Sequence, residues 1–116
     1  MITFKTFEDL EAYLKDHTDL CMVRKYLQDK LKQEIAFLAK DYKRKHSTID
    51  WKSSDVKQAK KIASDTAKED YLEDINYFLL NNVTLSHMSV IGYRRKPHTW
   101  AIAEAIKEFI RFQEEA

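Results

Sequence analysis

The sequence predicts an all-α protein: a four-helix-type bundle with two long antiparallel helices, a short N-terminal helix and a C-terminal helix. Three observations carry this expectation. The 116 residues include one glycine and one proline, the two strongest breakers of regular structure, so long helices can run without interruption. Apolar residues recur three and four positions apart through two stretches of more than 20 residues, a helical period that no strand produces. Both breakers fall in one segment, Gly92-Tyr-Arg-Arg-Lys-Pro97, which marks the main irregular connection.

The first helix is expected over about 7–16. Thr6 can cap it, and Phe7, Leu10 and Leu14 form one stripe. Upstream, Ile2 and Phe4 alternate with polar neighbours and suggest a short extended arm laid on the core. The second helix starts near Thr18 or Asp19 and runs to Lys45, on the seam Leu20, Val23, Leu27, Leu31, Ile35, Leu38, Tyr42. Met22, Tyr26 and Phe37 lie off that seam, which predicts contact with more than one neighbour. At about 1.5 Å per residue this helix is close to 40 Å long.

Residues 46–53 read as a loop, with Ser53 or Ser54 capping a third helix that continues to Leu80. Its seam is Val56, Ala59, Ala63, Ala67, Tyr71, Ile75, Phe78. The alanines allow close approach in the first half; Tyr71 and Phe78 call for wider spacing in the second. Two such helices joined by a short loop form an antiparallel hairpin. Asn81-Asn82 ends the third helix, and Thr99 is expected to cap a last helix over about 100–113 with the stripe Ala101, Ile102, Ala105, Ile106, Phe109, Ile110. Pro97 bars extension backwards.

Length and composition predict a single domain, with about two thirds of the unfolded surface hidden on folding. The lone cysteine, Cys21, cannot make an internal disulfide, and charges at Lys5, Glu8, Asp9 and Glu11 interrupt any signal-like run. No apolar run reaches the roughly 18 residues of a membrane span. The expected location is cytoplasmic, with no membrane association.

Net charge is +1, yet the charges are segregated. Residues 40–61 hold eight cations against three acids. Residues 65–74 reverse this with Asp65, Glu69, Asp70, Glu73 and Asp74 against Lys68. Residues 75–103 contain no acid at all.

No residue set names a reaction. His17 and Cys21, four apart, have no second pair to complete a metal site, and they read as an exposed histidine and a half-buried cysteine. Glu69/Glu73 and Asp70/Asp74 lack the partner carboxylates and Glu-x-x-His of a bundle di-metal site, and read as a solvated face. One glycine excludes the usual phosphate-cradling loops. Neither cofactor, metal nor catalytic set is expected, and the chain reads as a non-enzyme.

The segment from Asn82 to Arg95 resembles the turn and recognition helix of a helix-turn-helix. Asn82 takes the turn position, with Val83, Met88 and Ile91 buried. Thr84, Ser86, His87, Ser89 and Val90 then face the groove, and Arg94, Arg95 and Lys96 lie near phosphates. The likeness covers about 20 residues. It departs from the pattern at Phe78, where the helix crossing needs a small residue, and at the turn, where asparagine replaces glycine.

The expected function is a non-enzymatic helical protein-binding or regulatory module of adaptor, inhibitor or immunity type. It binds a protein partner through the basic-aromatic connection at 83–100, with Tyr93, Arg94, Arg95, Lys96, His98 and Trp100 as contacts, residue types favoured at interface hot spots. The alternative is a DNA-binding regulator using a degenerate helix-turn-helix over about 74–96. A homodimer through an exposed part of a long helix is compatible with the protein-binding reading.

Overall fold

A computed structural model describes residues 2–46, 51–84, 86–87 and 95–115. Four helices build the fold: α1 (Phe7–Asp16), α2 (Cys21–Lys45), α3 (Ser53–Leu80) and α4 (Pro97–Glu115). They pack as a bundle, with no strand among the described residues.

Helix α1 begins where its cap requires: Thr6 Oγ1 accepts the Asp9 N–H at 3.1 Å. Phe7, Leu10 and Leu14 are its buried residues. The arm before it does lie on the core, with Phe4 buried. Its anchor is Asn76 of α3. The Asn76 side chain accepts the Phe4 N–H at 3.0 Å and donates to the Phe4 carbonyl at 2.8 Å, satisfying both backbone groups of one residue as a strand neighbour would.

A 3-10 turn over Thr18–Leu20 precedes α2, so the α-helix starts slightly later than the sequence suggests. Leu20, Leu27 and Leu31 of the seam are buried, and Val23, Ile35 and Leu38 pack partly against the same core. Helix α2 does contact more than one neighbour, as expected, but its off-seam residues stay exposed. Met22 is 70% exposed, Tyr26 39% and Phe37 65%. Helix α2 reaches α1, α3 and α4 without covering these three.

At the start of α3 the cap is not a serine. Lys52 occupies the cap position, and the Asp55 carboxylate accepts its N–H at 3.1 Å. Ala59, Ala63 and Ala67 are buried, followed by Tyr71, Asp74, Ile75, Phe78 and Leu79. The last helix also starts earlier than Thr99 would set it. Pro97 takes the first helical position, where its missing N–H costs nothing. Thr99 lies inside the first turn, fully buried, and donates its hydroxyl to the Lys96 carbonyl at 2.6 Å.

The main core draws its residues from 4–31, 67–79 and 102–106. Beyond it α2 and α3 continue as a two-helix extension in which Ala59 and Ala63 alone are buried among residues 32–46 and 51–66. The overall dimensions, 58 × 33 × 21 Å, reflect that projection.

Candidate functional site

The residues preceding and opening α4 are fastened to α3 by a polar cluster built around Asp74. Its phase on α3 explains the burial: Asp74 falls three residues after Tyr71 and four before Phe78, inside the buried stripe. One carboxylate oxygen accepts from Arg95 Nη1 at 3.0 Å and the other from the Lys96 N–H at 3.2 Å. The Arg95 guanidinium also stacks over Tyr77, 3.8 Å from the ring centroid. Lys96 Nζ reaches Glu34 of α2 at 3.6 Å. One connection thus joins three helices.

A second set lies beside it. Tyr71 Oη is 3.0 Å from the Lys30 carbonyl and 2.7 Å from His98 Nε2. A carbonyl can only accept, so the phenol donates to Lys30 and its oxygen accepts from the His98 Nε2–H. This leaves Nδ1 as the bare nitrogen of a neutral ring. Burial lowers the His98 pKa from its ordinary value; Lys30 and Lys96 add to that, and Asp74 opposes it. Burial pushes the Tyr71 phenol above its usual range, assisted by Glu34. Neither group is disposed to carry charge near neutral pH.

The start of the connection is also tied to α4. Trp100 Nε1 donates to the Val83 carbonyl at 3.0 Å, and Lys107 Nζ to the Asn81 carbonyl at 2.9 Å. Thr84 begins a short turn: its carbonyl accepts the His87 N–H at 3.0 Å, and its hydroxyl lies 2.8 Å from Ser86 Oγ and 2.9 Å from His87 Nδ1.

The sequence-predicted contacts therefore divide. Arg95, Lys96, His98 and Trp100 are half-buried, with their polar groups engaged inside the protein. Thr84, Ser86 and His87 are exposed. Ser89, Tyr93 and Arg94, with most of the proposed recognition helix, lie outside the described residues. Phe78, at the expected helix crossing, is fully buried.

His17 and Cys21 exchange the environments expected of them. His17 is half-buried between the Tyr13 and Phe109 rings, at 4.5 and 5.0 Å, whereas Cys21 is exposed. No group of three or more His, Cys, Asp or Glu side chains suited to a metal ion occurs among the described residues. Likewise, no helix among them is long and apolar enough to cross a membrane.

Two outward surfaces remain. Met22, Tyr26 and Phe37 are separated by 4 and 11 residues, close to one and three helical turns, so they share one face of α2. At the far end of the hairpin, Lys40, Lys43 and Arg44 surround an open depression of about 320 Å³ together with Trp51. Comparison with family models, curated proteins and solved structures finds no match.

Proposed function

We propose that the chain is a non-enzymatic helical module that binds a protein partner, and that the outer face of α2 carries the contact. The supporting observation is the exposure of three large apolar side chains, Met22, Tyr26 and Phe37, along one face of a helix whose opposite face is packed. Apolar and aromatic groups of this kind act as anchors when a partner desolvates them. Lys25, Asp29 and Lys32 are also exposed beside them on α2, which gives the face a polar rim of mixed charge. Arg95, Lys96, His98 and Trp100 serve the module from within, by fixing α4 against α3 so that α2 is presented on a rigid body.

The test is affinity capture from the native host with the wild-type chain and a Met22→Ser/Phe37→Ser variant, alongside sedimentation of both. Because these side chains are exposed, the variant should melt within a few degrees of wild type. A stoichiometric partner retained by wild type and lost by the variant is the expected result. Self-association abolished by the same changes would make the partner a second copy. Equal capture by both proteins would sink the proposal.

A further inference from the structure

At the tip of the hairpin, far from the Asp74 cluster, the last turns of α2 present Lys40, Lys43 and Arg44 at spacings of three and four residues. Such spacing brings them to one face. With Trp51 they line a shallow, open depression of about 320 Å³. Trp51 is braced from behind by Tyr42, edge-on at 6.0 Å, and Tyr42 in turn stacks on His46 at 4.4 Å. The indole is therefore held in place beside three cations.

The charge at this tip exceeds what helix stability calls for. Cations at the C-terminus of α2 complement its dipole, which accounts for Lys43, Arg44 and Lys45. It does not account for Lys52, Lys57, Lys60 and Lys61, all exposed around the N-terminal half of α3. Among the described residues the acids of this segment are engaged: Asp41 pairs with Arg44 and Lys45 at 2.8 and 3.1 Å, and Asp55 caps Lys52. Lys40 and Lys43 have no ion pair among the described residues.

We infer that the hairpin tip binds single-stranded nucleic acid, one base lying against Trp51 while Lys40, Lys43 and Arg44 hold the flanking phosphates. The pairing of a planar apolar wall with surrounding cations matches a ligand that alternates planar rings and anions. A run of carboxylate side chains offers no ring for the indole, and a duplex keeps its bases stacked away from it. Lys40 and Arg44 extend the same face of α2 toward its C-terminus, but the residues invoked differ from Met22, Tyr26 and Phe37, and either proposal stands if the other fails.

Fluorescence anisotropy with a labelled 12-nucleotide single-stranded thymidine oligomer tests it. The comparison probes are the same phosphate chain with abasic sites, a 12-base-pair duplex and a polyglutamate of equal length. Three phosphate contacts predict a log K against log salt slope of about −2. Removing the bases should weaken binding by about tenfold. Lys40→Glu/Lys43→Glu should cost at least about tenfold, and Trp51→Leu should erase the difference between the base-containing and abasic chains. Thermal melts check that each variant folds; these are tip positions, and both lysines are exposed. Absence of binding at about 50 mM salt, the ionic strength at which phosphate contacts are strong, overturns the inference. So does an abasic chain, duplex or polyglutamate that binds as tightly as the thymidine oligomer.

Discussion

Asp74 is the residue on which the α3–α4 connection turns. Its carboxylate accepts two charge-assisted or backbone bonds while only 11% of the side chain remains exposed, opposite an Arg95 side chain that is 22% exposed. Asp74→Asn keeps the shape, replaces one acceptor by a donor and leaves the Arg95 guanidinium without its counter-ion. We expect a loss of about 2–3 kcal/mol, read as a drop in Tm of roughly 10 °C. Arg95→Lys should recover only part of the wild-type stability, because an ammonium cannot both pair with Asp74 and stack flat on Tyr77. His98 sets a pH dependence. Its folded pKa is lowered, chiefly by burial and then by Lys30 and Lys96, with Asp74 acting in the other direction. The unfolded chain therefore binds a proton at this site more readily. The stabilisation is complete above the unfolded value of about 6.5 and is lost as pH falls below it. In denaturant titrations from pH 7.5 to 5, His98→Gln should flatten the acid-side decline relative to wild type.

At the scale of elements, local chemistry made α1 legible, because its cap and its stripe are neighbours in sequence. The hairpin was legible because a period of 3.6 persists across both helices. What escaped prediction depends on distant partners. The role of Asn76 needs Phe4, 72 residues away. The acids of 65–74 read as one solvated face, although the phase of Tyr71 and Phe78 already placed Asp74 among buried positions. Thr99 has the chemistry of a cap, but Pro97 can open a helix two residues sooner, which turned Thr99 inward. The arm and the small-residue seam make contrasting predictions. Asn76→Ala should cost about 1–2 kcal/mol, as expected for lost hydrogen bonds to a partly buried backbone, and should expose the arm to proteolysis. Ala67→Leu forces extra volume into a fully buried position between long helices and should destabilise by about 1–3 kcal/mol. Chemical denaturation measures both.

For the whole molecule, net charge conceals a strong asymmetry. Residues 40–61 carry eight cations and three acids, leaving twelve cations and sixteen acids elsewhere. A near-neutral protein with one basic end should be retained on a cation exchanger at pH 8 and low salt, and Lys40→Glu/Lys43→Glu should elute markedly earlier. The projecting hairpin also divides the molecule by how each part opens. Amides around Tyr71, Ile75 and Phe78 lie in the main core, on a helix that α1, α2 and α4 all contact, whereas those of 35–45 and 54–62 lie in the two-helix extension. Deuterium should enter the outer hairpin by local fraying, at rates indifferent to Asp74→Asn, and enter the inner turns of α3 only through global unfolding. A ligand held at the tip would then slow exchange where the protein protects itself least, and an isotope-labelling map would locate it without a single substitution.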